Sequence, residues 1–415
     1  MNRLILTNIN ELVTCCGETP KRGAAMSDVG IIHDGSVVIE GDKISAVGSS
    51  KDIFAQYDIN EYKEINCSEK AVLPGFVDSH THFVFGGYRN GEFSMRLDGA
   101  SYMDIQNAGG GIASTMESTR YATVEELIET GLKRADSMLS FGVTTVEGKS
   151  GYGLDKDTEI KQLKAMKQIS KLHPIDIVST FMGAHSVPKN YKGREREYLE
   201  FLITHVLPIV KKEKLAEFVD IFCEQGVFNI EQSKLYLSKA KDMGFKLKLH
   251  ADEIIQTGGA ELGAELKAIS ADHLLQVSEE GINRMVESGV IATLLPATAF
   301  NLKEKYADAR KIIDRGCAVA LATDFNPGSS FTNSIPLVVA LAAINMGMNT
   351  REIVAALTIN GACAIDRQNE IGSIEKGKKA DIIILDYPSI DFLPYHTGIN
   401  IVKTVIKNGK VVIDN

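Results

Sequence analysis

His80 and His82 stand two residues apart at the end of an apolar run. On a strand, side chains at i and i+2 share a face, so both imidazoles can reach one metal ion. Two neutral nitrogen donors suit Zn²⁺, Fe²⁺ or Mn²⁺; a chance pair of turn or surface histidines is the alternative. His250 closes Phe245-Lys-Leu-Lys-Leu-His250, and Asp324 closes Ala318-Val-Ala-Leu-Ala-Thr-Asp324. Each is placed to add a ligand from another strand. A core role competes with ligation at His250. A helix N-cap competes at Asp324, because the turn residues Asn326-Pro-Gly-Ser329 follow. A metal explains better why an acid ends a run of small apolar residues.

Such a set has to be carried by several strands that end in one place. Apolar strand-like runs recur at 72–82, 143–153, 176–186, 218–225, 246–252, 268–275, 290–298 and 318–324. Amphipathic stretches such as 157–172, 232–243 and 279–288 lie between them. Strand followed by helix, eight times over, is the pattern of a (β/α)8 TIM barrel. Unusual polar residues gather at the C-terminal ends of these runs: His80, His82, Lys149, Tyr152, His185, Glu224, His250, Glu253, Asp272, His273, Thr298 and Asp324. Barrel active sites form at that face. One feature fits badly. Strict alternation puts Lys246 and Lys248 on the face of His250, and a barrel interior disfavours them; a β-bulge before His250 would remove the conflict.

The two ends of the chain differ from the middle. Residues 36–48 read as two short strands around a Gly41-Asp42 turn, and 402–413 as a hairpin around Asn408-Gly409. The expected architecture is a barrel at 72–372 and a composite β-sandwich domain from 1–71 and 373–415.

Composition narrows the partners. The 415 residues carry 45 Lys and Arg against 54 Asp and Glu, a formal charge of −9. That argues against nucleic acid or an anionic membrane as partner, while one arginine can still bind a small anionic substrate. The longest apolar runs, such as 335–344, fall far short of a ~20-residue span. No targeting core is visible at 1–10. The six cysteines, Cys15, Cys16, Cys67, Cys223, Cys317 and Cys363, show no C-x-x-C spacing. They read as free thiols of a reducing cytoplasm.

These segments also carry a resemblance. Val72-Leu-Pro-Gly-Phe-Val-Asp-Ser-His-Thr-His82 resembles the first-strand motif of the amidohydrolase superfamily, and 372–385 and 39–48 resemble its terminal β segments. Within it, the chain is similar to the imidazolonepropionase family. The matching segments are His82-Phe-Val-Phe-Gly-Gly-Tyr-Arg89, 108–112, 147–154, Phe181-Met-Gly-Ala-His-Ser-Val-Pro188, His250-Ala-Asp-Glu253 and 322–330. The resemblance runs essentially end to end.

It implies metal-dependent hydrolysis of 4-imidazolone-5-propanoate to N-formimidoyl-L-glutamate, on one zinc or iron ion held by His80, His82, His250 and Asp324. It implies substrate contacts from Arg89, Tyr152, His185, Glu253, Asn326, Gly328 and Ser329, and a homodimer. Arg89 suits a propionate carboxylate, and Tyr152 adds a hydroxyl donor. His185 would hydrogen-bond the carbonyl or its oxyanion. Asp324 or Glu253 would carry the water's proton to the departing nitrogen. His273 would sit beside the water, with a plain core role as its rival. Cys223 and Glu224 sit at the fourth strand end, and Lys149 and Glu147, near the second, are not obviously placed to bridge two ions, which favours a single metal. The Gly109-Gly-Gly111 run follows no strand and lacks Lys-Ser/Thr, so it is read as a cover over the site and not as a phosphate loop.

Two other functions compete. A metal-dependent aromatic deaminase of the same superfamily would also use a His-x-x-Glu such as His250 to Glu253, but it has no carboxylate for Arg89 to bind. A non-catalytic barrel scaffold would have lost metal ligands, and all four candidates are present.

Overall fold

The computed structural model describes residues 2–100, 104 and 110–415. Gly109, part of the expected cover, and Ala108, part of the matching segment 108–112, lie outside the described residues. The chain opens with β1 (Arg3–Val13), β2 (Ile31–Glu40), β3 (Lys43–Ser49), β4 (Lys63–Asn66) and β5 (Ala71–Pro74). It then runs through β6 (Phe76–Asp78), β7 (Val143–Lys149), β8 (Asp176–Ala184), β9 (Phe218–Cys223), β10 (Lys246–Ala251), β11 (Ser270–His273), β12 (Ile291–Leu294) and β13 (Val319–Leu321). It closes with β14 (Ile382–Leu385), β15 (Val402–Lys407) and β16 (Lys410–Asp414).

Strands β6 to β13 form one parallel sheet in sequence order, each paired with the next. Every one falls inside one of the eight runs read from the sequence. The sheet closes on itself just beyond β6 and β13. The Asp324 N–H donates to the His80 carbonyl at 3.0 Å, and the His82 N–H to the Phe325 carbonyl at 2.9 Å. This (β/α)8 barrel therefore joins its first and last strands through the residues expected to hold a metal.

Helices pack outside. Val124–Ser140 starts at a capping box of Thr123 and Glu126 and buries Leu127, Ala135, Met138 and Leu139. Lys156–Leu172 starts at Asp155, whose side chain accepts from Thr158 N–H, and buries Leu163, Met166 and Ile169.

The termini build a second sheet in the order β16-β15-β14-β5-β1-β2-β3, with β4 on β1. Leu6, Val37 and Ile44 from its N-terminal strands share one apolar cluster with Ile382, Ile384 and Ile406 from its C-terminal strands. The seven strands of that path laid flat would hold its edges ~30 Å apart, so the sheet curls until its arms face each other. The turns at Gly41 and Gly409 meet so closely that a Cβ on Gly409 would collide with the Gly41 carbonyl.

The run 72–82 divides between the two sheets. β5 pairs with β1 and β14, and β6 pairs with β7. Gly75 is the divider: a Cβ there would run into Thr144 of β7.

The bulge expected before His250 is absent. β10 keeps a constant register against β9 and β11. Lys248 does point inward and is fully buried, while Lys246 sits at the barrel's N-terminal mouth and pairs with Asp366 at 2.5 Å. The lysine is tolerated because two carboxylates from other strands, Glu147 and Asp272, lie within 3.6 Å of it.

Candidate active site

The strand ends bring the histidines together. The His80 ring lies 5.5 Å from His82, 4.6 Å from His250 and 5.4 Å from His273, centroid to centroid. His82 stacks on His185 at 4.8 Å. Four of these rings have Nδ1 fixed by a partner. His80 Nδ1 bonds Asp272 Oδ2 at 2.7 Å, and His250 Nδ1 bonds Asp220 Oδ1 at 3.2 Å. His82 Nδ1 faces the Ser150 carbonyl at 3.4 Å, and His185 Nδ1 bonds the Gly151 carbonyl at 3.0 Å. With the Nδ1 protons so engaged, Nε2 carries the lone pair.

Asp324 completes the group. Its backbone is left-handed, φ 50°, just after the short β13. Its Oδ2 accepts from the Thr298 hydroxyl at 2.6 Å. Its Oδ1 lies 3.5 Å from His80 Nε2 and 3.9 Å from His82 Nε2. Donor atoms of His80, His82 and Asp324 fall within 4.8 Å of one another, as do those of His82, His185 and His250, and of His80, His250 and His273. His80 Nε2 and both nitrogens of His273 are buried without a hydrogen-bond partner among the described residues. Unpartnered, inward-facing imidazole nitrogens beside a carboxylate fit a metal ion.

The electrostatics agree. Burial, reinforced by neighbouring positive and imidazole groups, holds His80, His82 and His250 well below the usual histidine range. Burial lowers His185 and His273 to about 4. All five are neutral at physiological pH, the form that binds metal. Burial raises Asp324 to about 7. Burial, with Asp324 and Glu224 facing it, raises Glu253 to about 8. Glu253 Oε1 lies 3.5 Å from His273 Nδ1.

A cavity of about 340 Å³ is lined by Arg89, Phe93, Arg96, Gly328, Ser329 and Phe331 among others, and no residue of the His and Asp cluster is in its lining. Aromatic rings link the two. Tyr152 lies 5.6 Å from His82 and 6.1 Å from Phe85, and Phe85 lies 6.3 Å from Phe331. Arg89 precedes the helix Asn90–Leu97, and its Nε donates to Glu92 at 2.8 Å. Its guanidinium lies so close over Gly328 that a Cβ there would push it aside. Asn326 is occupied within its own loop: its Oδ1 accepts from the N–H groups of Gly328 and Ser329, both at 2.8 Å, and its Nδ2 donates to the Asp324 carbonyl at 2.7 Å. It shapes the loop that presents Gly328 and Ser329.

Several contributors went unread in the sequence. Asp220 supports His250, and its signal was a lone acid in Phe218-Val-Asp-Ile-Phe222. Glu159 accepts the N–H groups of Gly151, Gly153 and Leu154 at 2.8–3.0 Å and so holds the loop that carries Tyr152. Arg96 donates to the Gly328 carbonyl at 2.9 Å on the cavity wall.

Comparison with known proteins gives one answer. A sequence profile described as the amidohydrolase family matches residues 71–412. An imidazolonepropionase from Clostridium tetani is 59% identical over 409 residues, 99% of this chain and 98% of that one. Another from Parabacteroides distasonis is 54% identical over 410 residues, 99% of both chains. Among solved structures, a triazine hydrolase from Arthrobacter aurescens superposes with TM-score 0.76 at 17% identity, over 100% of this chain and 95% of that one. A zinc-bound adenosine deaminase from Xanthomonas campestris gives 0.67 at 18%, over 99% and 93%. At such identities these two speak for the fold alone. The fold, the buried His and Asp cluster and the full-length likeness converge: the chain belongs to the amidohydrolase family and, within it, to the imidazolonepropionases.

Proposed function

We propose that this site opens the ring of 4-imidazolone-5-propanoate by water to give N-formimidoyl-L-glutamate, with His80, His82, His250 and Asp324 holding one zinc or iron ion. The observation that carries this reading is the convergence of Nε2 lone pairs and Asp324 Oδ1, joined through Tyr152 and Phe85 to a cavity walled by Arg89. A metal bound there supplies Lewis-acid activation of water and of the ring carbonyl.

The side chains divide the remaining work. Arg89 and the Ser329 loop take the propionate, and the Tyr152 hydroxyl orients the ring. His185, neutral and donating through Nδ1 to Gly151, offers an Nε2 lone pair. It therefore accepts a ring N–H, in place of the donation to the carbonyl oxygen expected from its position. Water adds to the ring carbonyl carbon and the adjacent C–N bond breaks. The proton released from water goes to the departing nitrogen. Asp324 has Oδ1 among the ligands and Oδ2 on Thr298, so Glu253, with His273 beside it, is the carrier. The acyl carbon becomes a carboxylic acid that ionises to the carboxylate, its proton passing to solvent.

The test is hydrolysis of imidazolone propionate, followed by loss of its ultraviolet absorbance, with and without a chelator. Turnover that stops on chelation and returns with zinc or iron supports the reading. Turnover of nucleobases without turnover of imidazolone propionate would replace it with the deaminase.

The same reading places the enzyme in the cytoplasm as a homodimer, with residues 1–71 and 373–415 forming one domain and 72–372 the other. No helix among the described residues is long and apolar enough to cross a membrane. Light scattering on the purified protein measures the dimer, and limited proteolysis the domain boundaries.

A further inference from the structure

Beneath the imidazoles, the barrel interior holds a closed cluster of charges that the hydrolysis leaves unused. Lys149 Nζ lies 2.7 Å from Asp220, 2.9 Å from Glu147 and 3.6 Å from Asp272. Lys248 Nζ lies 3.2 Å from Glu147, 3.6 Å from Asp272, and 2.9 Å from the Ser79 carbonyl that it donates to. All five side chains are fully buried. Three carboxylates meet two ammonium groups, leaving one negative charge in excess. Five charges out of water persist only where geometry and hydrogen bonds compensate them. Here the compensation extends to Thr180, whose hydroxyl bonds Glu147, and to Ser270, whose hydroxyl bonds Asp272 at 2.6 Å.

Two of the acids face the metal-site imidazoles. Asp272 Oδ2 receives His80 Nδ1, and Asp220 receives His250 Nδ1 and the Ile221 N–H, the latter at 2.7 Å. Each acid is therefore held between a lysine below and a histidine above. Donor atoms of His80, Glu147 and Asp272 also lie within 4.8 Å of one another, close enough for an ion of their own. The two ammonium groups already occupy that space.

We propose that Lys149 and Lys248 are positioning residues that stand where a second metal ion would sit, and hold Asp220 and Asp272 so that His250 and His80 aim Nε2 at a single ion. This rests on the assignment of His80 and His250 as ligands. Carboxylate partners of ligating histidines typically alter metal affinity by about 10–100-fold when lost.

The experiment measures zinc affinity by chelator competition on the whole protein. It is paired with the visible spectrum of the cobalt-substituted form and the thermal midpoint, in the wild type, Lys149→Met, Asp272→Asn and His80→Ala. One equivalent of zinc in the wild type is expected. In Lys149→Met and Asp272→Asn, affinity about 10–100-fold weaker and a shifted cobalt spectrum are expected. Folded variants that keep wild-type affinity and spectrum overturn the proposal, and so does a lower thermal midpoint with metal binding unchanged. If Lys149→Met does not fold, the near-isosteric Asp272→Asn decides. Wild-type affinity in His80→Ala would instead overturn the ligand assignment. Loss of the ion there, with normal binding in the other two, overturns only the role of the lysines.

Discussion

Asp78 ties the first barrel strand to the last through Thr323: its carboxylate accepts the Thr323 N–H at 3.0 Å and the Thr323 hydroxyl at 2.6 Å. Thr323 immediately precedes Asp324, so the closure of the barrel and the placement of a proposed ligand depend on one buried acid.

Replacing Asp78 with alanine leaves two buried donors without acceptors. The expected cost is about 2–4 kcal/mol of stability, read as a lower urea midpoint. Retained zinc should fall with it, because Asp324 loses its anchor. An unchanged midpoint would mean that other contacts close the barrel.

Dialysis against a chelator should abolish hydrolysis and lower the thermal midpoint, since an ion that binds only the folded state stabilises it. Zinc or iron should restore both. His82→Ala should lose the ion without losing the fold, which circular dichroism checks.

Arg89→Ala should lower kcat/KM for the propionate-bearing substrate about 10–150-fold, mainly through KM, because a charge-assisted pair is worth roughly 1.5–3 kcal/mol. Arg89→Lys should recover only part, having no planar fork. Gly328→Ala should mimic a weaker version of the same defect by pushing the guanidinium aside. Steady-state kinetics on all three separate recognition from chemistry.

Glu159→Gln replaces an acceptor that takes three backbone N–H groups with a side chain that must turn a donor toward one of them. A loss of about 1–3 kcal/mol is expected, with a raised KM as Tyr152 shifts. A normal KM in a destabilised variant would confine Glu159 to the fold.

Much of this was legible in advance because the barrel writes its pattern locally. Each strand is an apolar run, and each inward polar residue at its C-terminal end breaks that run visibly, as His80, His250 and Asp324 do. What stayed hidden was pairing across strands. Lys248 read as a conflict because Glu147 and Asp272, which neutralise it, stand on β7 and β11, and nothing in the 246–252 run records them. The 72–82 run read as one strand because apolar pattern does not register a change of sheet; Gly75 marks it only through its contact with Thr144. Asn326 entered the substrate set only through the resemblance, and the turn it makes with Gly328 and Ser329 is visible only in three dimensions.

The curled sheet at the termini sets an order of events during synthesis. A ribosome releases β1, β2 and β3 first, yet their sheet-mates β14 to β16 emerge roughly 330 residues later. Until then β5 shows an unpaired edge, and the step from β5 into β6 and its histidines has support on one side only. Strands β14 to β16 therefore act as the clasp for what precedes them, and a nascent protein that stalls before Ile382 would carry every proposed metal ligand without the seam that holds the first of them in place.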